Sequence, residues 1–438
     1  MNPLLLAVAG KPVLHSRSPA IHRSALAKAG IAGQYMRLAV ESARQALTVA
    51  SEIGISGLNV TAPFKEEMFN AVDVTDETAK KIKAVNTVCF RDGKTFGWNT
   101  DVFGVQEALR SRGAVTERAK AVVIGAGGAA RAAIVGLQQA GASVIIANRT
   151  LSKAEALAQE FNCSAVALSP NTLSKALAQS TIIVNVTSTT ERIVPPEFIT
   201  GAHVLLEAHY AHISAMSTDA RLRGARVIDG NDWLIFQAAL SFEHFTGTKV
   251  EADVFRAALL NEQEFNSRRI SLIGMMGAGK STTARVLATL LGWKRVELDE
   301  LIERHVKKTI HDIVTQDGEA KLREFESAML KESMDIEPAV LSCGGGTVLS
   351  KENRLLLRQE SIPVWLWAKH PELARRVAGG EARPLLQGGE PENKLKEIIE
   401  HRRAWYAETC RLIVPTESRA PNEIAERIVH ESAYLRNR

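Results

Sequence analysis

Residues 121–130 read Ala-Val-Val-Ile-Gly-Ala-Gly-Gly-Ala-Ala, an apolar run followed by a glycine-rich turn. The turn fits the pattern G-x-G-x-x-A, in which glycines let the backbone approach a pyrophosphate and a helix N-terminus favours its charge. Plain strand-to-helix turns share this pattern, so the neighbouring residues must decide the matter. The segment predicts a parallel α/β sheet with dinucleotide contacts at Gly125, Ala126, Gly127, Gly128, Ala129 and Ala130.

The choice of dinucleotide depends on the end of the next strand. Residues 142–147 form an apolar run that ends at Asn148-Arg149-Thr150, with Lys153 one helical turn further on. An acidic residue at this place would hold the ribose 2′-hydroxyl of NAD, whereas a cation suits the 2′-phosphate of NADP. We therefore predict NADP(H) as the cofactor. The alternative is that Arg149 is a solvated surface charge.

A second glycine-rich turn, Gly-Met-Met-Gly-Ala-Gly-Lys-Ser, occupies residues 274–281 after Ile-Ser-Leu-Ile at 270–273. It fits the P-loop pattern G-x-x-x-x-G-K-S, whose backbone N–H groups wrap a β-phosphate. In this pattern Lys280 bridges the β- and γ-phosphates, and Ser281 ligates Mg²⁺. The turn predicts ATP and Mg²⁺ as cofactors, with nucleotide contacts at Gly274, Gly277, Ala278, Gly279, Lys280, Ser281 and Thr282.

The composition is that of a soluble globular protein. The chain has 438 residues, of which 45% are hydrophobic and 24% charged, with a formal net charge of +5. No Lys/Arg block interleaved with aromatic residues indicates nucleic acid, and no apolar stretch approaches the ~20 residues that span a membrane. The four separated cysteines favour a reducing compartment. We predict a cytoplasmic monomer or homodimer whose partners are small molecules.

Alternating apolar runs and helical patterns divide the chain. We predict an α/β substrate-binding domain over residues 1–105 and a Rossmann-type NADP domain over 106–232, where a regular βαβ rhythm appears. After the NADP domain, a helix over about 233–257 is predicted to return to the substrate-binding domain and to be part of it. A polar linker over 258–269 precedes a P-loop α/β domain with a parallel sheet over 270–438.

Short polar motifs in the first half occur in a fixed order. They are Ser16-x-Ser18, the element N-V-T-x-P-x-K from Asn59 to Lys65, A-V-N-T at Asn86, N-T-D at Asp101 and Gln237-Ala238. Taken singly, each is more typical of a cap or turn. Together with G-A-G-G-A-A-R and N-R-T, they resemble shikimate dehydrogenase over about residues 1–260.

This resemblance implies NADPH-dependent reduction of 3-dehydroshikimate to shikimate. Lys65 beside Asp101 would supply or relay the proton that the developing alkoxide needs. The resemblance also implies NADP contact at Gly230. The implied substrate contacts are Ser16, Ser18, Asn59, Thr61, Lys65, Asn86, Asp101, Tyr210 and Gln237. The sequence departs from the family on the cofactor side at Thr189-Thr190, Glu207 and Trp233, changes that affect packing near the nicotinamide.

A second ordered set follows the P-loop. It comprises Glu297-x-Asp299 just after the next predicted strand, Arg323, the triplet Gly344-Gly345-Gly346, the Gly-flanked segment at Arg383, and Arg402. A single arginine would be interpreted as a surface charge. The ordered set resembles shikimate kinase over about residues 270–435, which makes the C-terminal block a P-loop kinase domain.

The second resemblance implies ATP-dependent phosphorylation of the shikimate 3-hydroxyl. Asp299 would act as base, and Arg323 and Arg402 would clamp the substrate carboxylate. Arg383 would close over the phosphates with Lys280, and Gly344, Gly345 and Gly346 would let the backbone approach the ring. Glu297 stands where the family has Asp, so it would reach Mg²⁺ through water, beside Ser281.

Three alternatives remain open from the sequence. The first substrate could be quinate or another polyol acid. One half could have lost catalysis and serve as a ligand-sensing regulator, although Lys65, Asp101, Lys280 and Asp299 are all retained. The kinase substrate could be another small molecule, such as gluconate, which the paired arginines for a ring carboxylate disfavour.

Overall fold

The computed structural model describes residues 3–210, 213–261, 267–378 and 390–436. Within these ranges the chain forms two compact units. One comprises residues 1–19, 31–64 and 263–438, and the other residues 20–30 and 65–262. The first unit therefore combines N-terminal strands with the C-terminal part of the chain. Residues 262–266 of the predicted linker lie outside the described residues.

The N-terminal part alternates strands and helices, with short turns between them. Ser42 caps the second helix by accepting from Gln45 N–H, and the sheet hairpin turns at Asp92 and Gly93, both with positive φ, as in a two-residue type I′ turn. The elements are β1 Leu4–Gly10, α1 Ser18–Lys28, β2 Gly33–Ala39, α2 Ala43–Ile53, β3 Gly57–Val60, α3 Lys65–Ala71, β4 Val74–Thr75, α4 Glu77–Ile82, β5 Thr87–Arg91, β6 Lys94–Trp98 and α5 Asp101–Ser111.

The middle part has a regular βαβ rhythm. Its elements are β7 Lys120–Ile124, α6 Gly128–Gln139, β8 Ser143–Asn148, α7 Leu151–Phe161, β9 Ser164–Ala167, α8 Pro170–Ala178, β10 Ile182–Asn185, β11 Val204–Glu207, α9 Ala215–Leu222, β12 Arg226–Ile228, α10 Gly230–Thr246 and α11 Ala252–Leu260. The single helix predicted over about 233–257 is two helices, because α10 ends at Gly247 with φ +70°.

The C-terminal part repeats the alternation around a new strand. Its elements are β13 Arg269–Ile273, α12 Lys280–Leu291, β14 Lys294–Glu297, α13 Leu298–Val306, α14 Ile310–Asp312, α15 Glu319–Ser333, β15 Ala339–Ser342, α16 Lys351–Glu360, β16 Ile362–Trp367, α17 His370–Ala378, α18 Pro391–Thr409, β17 Leu412–Pro415 and α19 Pro421–Arg436. The glycine-rich turn at residues 274–279 joins β13 to α12, as the P-loop pattern requires.

The first unit contains a parallel sheet with the order β14-β15-β13-β16-β17-β2-β1-β3. The strand before the P-loop, β13, pairs with β15 on one side and β16 on the other. Its residues are buried along the whole strand, as is typical of a parallel strand covered on both faces of the sheet. The C-terminal strand β17 pairs with β2 of the N-terminal part, so one sheet runs through both segments of this unit.

The second unit contains a six-stranded parallel sheet with the order β12-β11-β10-β7-β8-β9. This is the Rossmann order, and the direction of winding reverses between β7 and β10. The antiparallel hairpin of β5 and β6, extended by β4, belongs to the same unit. These topologies confirm the predicted α/β class with a Rossmann-type sheet and a parallel P-loop sheet.

Candidate active sites

The glycine-rich turn after β7 lies at the point where the strand order reverses. Gly125 has φ +118°, which favours glycine, and a Cβ there would lie 2.8 Å from Cγ2 of Val186, just after β10. Gly127 is the N-cap residue of α6, so no side chain covers the N-terminus of this helix. A Cβ at Gly127 or Gly128 would meet no heavy atom within 4 Å. The space over the helix N-terminus is therefore open, as a pyrophosphate requires.

The residues predicted to select NADP follow β8. Asn148 Nδ2 donates to the carbonyl of Thr150 at 2.9 Å, which shapes the turn. The side chains of Arg149 and Lys153 are exposed, so both cations are accessible to a phosphate. Gly230 begins α10, where a Cβ would collide with the carbonyl oxygen of His209. Glycine at position 230 therefore lets the start of α10 approach the backbone of His209 closely.

Lys65 and Asp101 form an ion pair with an Nζ–Oδ2 distance of 2.6 Å. Asp101 is the first residue of α5, where a carboxylate is favoured, and its N–H donates to Asn99 Oδ1 at 3.0 Å. Asn99 in turn donates to the carbonyl of Ala84 at 3.1 Å. The Lys65 side chain is 23% exposed and that of Asp101 11%. The carboxylate is thus fixed, while the ammonium can still be reached from solvent.

Buried amides and hydroxyls surround Asn86 in the same unit. Asn86 Oδ1 accepts from Thr100 N–H at 2.9 Å, and its Nδ2 donates to Thr100 Oγ1 at 3.1 Å. The hydroxyl of Ser241 lies 2.8 Å from that of Thr87 and 3.0 Å from that of Thr100. Gln237 Oε1 accepts from Thr100 Oγ1 at 3.3 Å. Asn86 and Gln237, both predicted substrate contacts, are therefore coupled through Thr100.

Four other predicted dehydrogenase contacts, Ser16, Ser18, Asn59 and Thr61, belong to the first unit. Ser16 Oγ donates to Ser18 Oγ at 3.2 Å and accepts from Ser18 N–H at 3.3 Å. Asn59 in β3 is buried, and its Oδ1 accepts from the hydroxyl of Tyr35 at 2.6 Å. Thr61 follows β3 directly. The polar groups are thus held in place by local contacts, including a buried tyrosine that the motifs did not indicate.

The P-loop has the backbone conformation that its motif predicts. Gly274, Gly277 and Gly279 have φ values of +143°, +79° and +89°, so each adopts a conformation that side chains disfavour. Lys280 Nζ donates to the carbonyl oxygens of Gly274 and Met275, each at 3.0 Å. The ammonium is therefore held within the turn. Ala278 is buried, whereas Ser281 and Thr282 are exposed at the start of α12.

The glycine triplet after β15 allows three charged side chains to approach the backbone. A Cβ at Gly346 would collide with the guanidinium of Arg323. A Cβ at Gly344 would lie 2.5 Å from Oε1 of Glu326 and 3.3 Å from Oδ1 of Asp299. The structure therefore places Asp299, at the start of α13, and Arg323, in α15, beside the same glycine triplet.

Arg323 and Arg402 are each fixed by hydrogen bonds. Arg323 Nη1 pairs with Glu326 Oε2 at 2.7 Å. Glu326 is 3% exposed, and burial raises the pKa of its carboxyl although Arg323 opposes the shift. Arg402 Nη1 donates to the carbonyl of Gly345 at 3.1 Å, as does the hydroxyl of Tyr406 at 2.9 Å. Both arginines thus lie against the glycine triplet.

Comparison with known proteins decides the family. Residues 8–88 match the family model described as the shikimate dehydrogenase substrate binding domain, and residues 107–206 match that of shikimate / quinate 5-dehydrogenase. Residues 276–433 match the shikimate kinase model. A shikimate dehydrogenase (NADP(+)) of Halobacterium salinarum is 39% identical over 258 residues, covering 57% of this chain and 96% of the relative. The chain belongs to the shikimate dehydrogenase family. It also carries a C-terminal shikimate kinase domain.

Solved structures extend the comparison. A shikimate 5-dehydrogenase of Thermus thermophilus, in complex with NADP(H) and shikimate, is 33% identical with a TM-score of 0.55, covering 58% of this chain and 98% of that one. A quinate dehydrogenase of Corynebacterium glutamicum, in complex with NAD, is 27% identical with a TM-score of 0.56, covering 60% and 100%. The family models and the Halobacterium salinarum relative confirm the predicted combination of an oxidoreductase and a kinase.

Two departures from the shikimate dehydrogenase pattern are accommodated by local structure. The buried carboxylate of Glu207 accepts from Asn185 Nδ2 at 3.0 Å and from the hydroxyl of Ser214 at 2.6 Å. Trp233 is 6% exposed, and a Cβ at Gly104 would lie 2.7 Å from its ring. Glu207 therefore braces the ends of β10 and β11, and Trp233 fills a space that Gly104 leaves. The pair Lys65 and Asp101 is unaffected.

Glu297 and Ser281 fit the magnesium assignment of the kinase domain. Ser281 Oγ donates to Glu297 Oε1 at 3.1 Å. The second carboxylate oxygen, Oε2, is buried without a hydrogen bond in the described part of the chain and lies 3.9 Å from Nη1 of Arg295. Burial raises the pKa of this carboxyl, against hydrogen bonds from Ser342 and Ser281. Since Mg²⁺ takes one or two carboxylates, waters and phosphate oxygens, this oxygen is a suitable ligand, directly or through water.

Replacing Glu297 by glutamine is expected to raise the Mg²⁺ concentration for half-maximal kinase activity by about 10-fold or more, because lost outer ligands cost about 10–100-fold in metal affinity. NADPH oxidation should be unchanged. Titration of Mg²⁺ at saturating ATP measures the effect, with Glu300→Gln in the following helix α13 as the control. An unaltered Mg²⁺ requirement would remove Glu297 from the metal site.

Replacing Arg149 by aspartate is expected to raise the KM for NADPH by roughly 10–100-fold, because a charge-assisted hydrogen bond to phosphate contributes about 1.5–3 kcal/mol. The KM for NADH should not rise, since NADH lacks the 2′-phosphate. Lys175→Asp, an exposed cation of α8, serves as the control. Parallel rises for both nucleotides would contradict a contact with the 2′-phosphate.

Some site residues lie outside the described residues or were not predicted. Arg383, predicted to bind ATP and close over the phosphates, lies outside the described residues. Glu326 and Tyr406 were not assigned, although Glu326 follows Arg323 by one helical turn, the spacing of an ion pair. Tyr210 follows β11 and is half-buried.

Among the described residues, no group of three or more His, Cys, Asp or Glu side chains is placed to hold a metal. In the same part of the chain, no helix is long and apolar enough to cross a membrane.

Proposed function

We propose that this chain reduces 3-dehydroshikimate to shikimate with NADPH and then phosphorylates the shikimate 3-hydroxyl with ATP and Mg²⁺. The observation that carries the first activity is the 2.6 Å pair of Lys65 and Asp101 in a chain of the shikimate dehydrogenase family. The second activity is supported by Asp299, Arg323 and the glycine triplet beside a P-loop in a shikimate kinase domain.

The first reaction requires a proton at the carbonyl oxygen as the ring is reduced. When bound, NADPH supplies the hydride to the carbonyl carbon. The Lys65 ammonium donates a proton to the forming alkoxide, and Asp101 orients this ammonium and stabilises its charged form before transfer. Because Asp101 is fixed by Asn99, the donor stays aimed at one place. The buried amide of Asn86 and the side chain of Gln237 would bind ring hydroxyls or the carboxylate.

The assignment of NADPH rests on Arg149 and Lys153 after β8. Both are exposed cations, Lys153 in the first turn of α7, and no acidic residue lies between them. The similar enzyme of Halobacterium salinarum is named for NADP(+), and that of Thermus thermophilus was solved with NADP(H) and shikimate. The residues of this chain fit the same cofactor.

The second reaction requires a base at the 3-hydroxyl and cations on the phosphates. When bound, MgATP supplies the phosphoryl group. Asp299 accepts the hydroxyl proton, and Lys280 stabilises charge on the transferred group. Arg323 and Arg402 bind the ring carboxylate, since planar guanidinium groups match a carboxylate with two hydrogen bonds. We further propose that Arg383 adds a positive charge over the phosphates.

Quinate is the alternative first substrate, because a quinate dehydrogenase has a similar structure. That enzyme was solved with NAD, whereas the residues after β8 of this chain are cationic. The two possibilities differ in both substrate and cofactor. We favour shikimate, since it is the compound that the kinase domain of this chain would phosphorylate.

Oxidation of the two acids tests the proposed dehydrogenase function. The purified chain is given shikimate or quinate with NADP⁺ or NAD⁺, and reduced nucleotide is followed by absorbance. We expect the highest kcat/KM for shikimate with NADP⁺. A preference for quinate with NAD⁺ would replace the proposed substrate, and no turnover of any pair would support a regulatory role for this half.

A further inference from the structure

The last helix of the kinase domain is anchored on the N-terminal strands within the first unit. Strand β17 pairs with β2 through Ile413 and Leu38. From α19, Arg427 Nη2 donates to the carbonyl of Gly10 at 3.2 Å and to that of Val40 at 3.1 Å. These carbonyls lie at the carboxyl ends of β1 and β2. In open parallel α/β sheets, ligands bind outside this end of the strands.

A buried carboxylate on α19 binds the segment that follows β1. Glu431 Oε2 accepts from the N–H groups of Val13 at 2.8 Å and Leu14 at 2.9 Å. Glu431 is fully buried, and its Oε1 lies 3.0 Å from Arg427 Nη2. Hydrogen bonds to an ionised acceptor are stronger than neutral ones, so one carboxylate oxygen fixes two successive peptide groups.

Val13 connects this contact to the predicted substrate serines. Ser16 N–H donates to the carbonyl of Val13 at 3.0 Å, and Ser18 N–H donates to Ser16 Oγ at 3.3 Å. Arg37 of β2 donates to the carbonyl of Ser16 through Nε at 3.0 Å and Nη2 at 2.6 Å. Residues 13–18 are therefore held by Arg37 from the dehydrogenase part of the chain and by Glu431 from the kinase part.

Neighbouring ion pairs join the kinase part to Glu41 and Glu52, which lie outside residues 13–18. Arg419 and Arg427, whose side chains are 13% and 4% exposed, each lie 3.4 Å from Glu41, which is 36% exposed. Lys369 lies 3.4 Å from Glu52, with both side chains over a third exposed, so water and salt screen this pair. The dependence of residues 13–18 on the kinase domain thus rests on Glu431.

We propose that Glu431 is a positioning residue for the dehydrogenase, supplied by the kinase domain. By holding the backbone of Val13 and Leu14, it sets where the hydroxyls of Ser16 and Ser18 lie. This assignment rests on the proposed function, in which those serines bind the substrate. Without Glu431, shikimate should bind more weakly. NADP⁺ should bind as before, since its predicted contacts are other residues.

Three variants of the full-length chain test this role. Glu431→Gln keeps an oxygen that can accept from the amides, so its effect should be small. The pair Arg427→Met with Glu431→Leu removes the contact without leaving an unpaired buried charge, which protects the fold. Glu426→Gln, an exposed residue of the same helix, is the matched control. For each variant we measure KM for shikimate, KM for NADP⁺, kinase kcat and Tm.

In the paired variant, the KM for shikimate should rise about 10-fold or more, as loss of two charge-assisted hydrogen bonds predicts. The KM for NADP⁺ and the kinase kcat should not change, and Glu426→Gln should match the wild type. An unchanged KM for shikimate would overturn the proposal. Equal losses of dehydrogenase and kinase activity together with a lowered Tm would also overturn the proposal, because they would indicate a general structural role. If the wild type shows no shikimate oxidation while its kinase is active, the proposed dehydrogenase function fails, and this assignment with it.

Discussion

Replacing Lys65 by alanine should slow the dehydrogenase reaction by about 10²–10⁴-fold in kcat, the contribution typical of a positioned general acid. The structure provides the reason, since the Lys65 ammonium lies 2.6 Å from a carboxylate that Asn99 and the start of α5 hold in place. The kinase kcat should be unchanged. Initial rates of NADPH oxidation and of ADP formation, measured on the same preparation, check both statements.

Two further variants separate chemistry from folding in this experiment. Asp101→Asn keeps the size of the side chain but removes the charge that pairs with Lys65, so it should also lower kcat strongly. Lys81→Ala removes an exposed lysine of the neighbouring helix α4 and should leave kcat unchanged. If Lys65→Ala retained a kcat close to that of the wild type, the pair would not be the acid of the reaction.

Replacing Lys280 by alanine should lower the kcat of shikimate 3-phosphate formation by about 10²–10³-fold, the contribution of one preorganised stabiliser of transition-state charge. Lys280 lies within the P-loop, where its ammonium contacts the carbonyls of Gly274 and Met275. The same variant should oxidise NADPH at the wild-type rate. Phosphorylation of added shikimate, followed by mass spectrometry, measures the first effect.

Lys331→Ala, an exposed lysine of α15, is the control for this second prediction. Its kinase and dehydrogenase rates should match those of the wild type. Simultaneous loss of both activities in Lys280→Ala, without a lowered Tm, would contradict two independent active sites. Normal phosphorylation by Lys280→Ala would remove the P-loop from the reaction.

The fold class could be predicted because its signals are local. Each glycine-rich turn follows an apolar strand and opens a helix, and the structure has this arrangement at Gly125 and at Gly274. The segment over about 233–257 was predicted as a single helix. A single glycine, Gly247 with φ +70°, divides it, and one glycine in a helical pattern is a weak signal.

Contacts between distant parts of the chain were not predictable. Val13 and Glu431 are separated by 418 positions, and neither belongs to a recognisable motif. The pairing of β17 with β2 joins segments that the sequence assigns to different domains. Tyr35 donates to Asn59, but the sequence around Tyr35 does not indicate which side chain its hydroxyl contacts. Sequence patterns report which residues are buried or placed at strand ends, and tertiary packing alone decides what they contact.

Conversion of 3-dehydroshikimate by the purified chain tests the central claim most directly. The protein is given 3-dehydroshikimate, NADPH, ATP and Mg²⁺, and products are identified by mass spectrometry over time. Wild type should yield shikimate and then its 3-phosphate, Lys280→Ala should stop at shikimate, and Lys65→Ala should leave the starting material. Accumulation of shikimate without phosphate in the wild type, or no consumption of 3-dehydroshikimate, would contradict the assignment of two sequential activities to this chain.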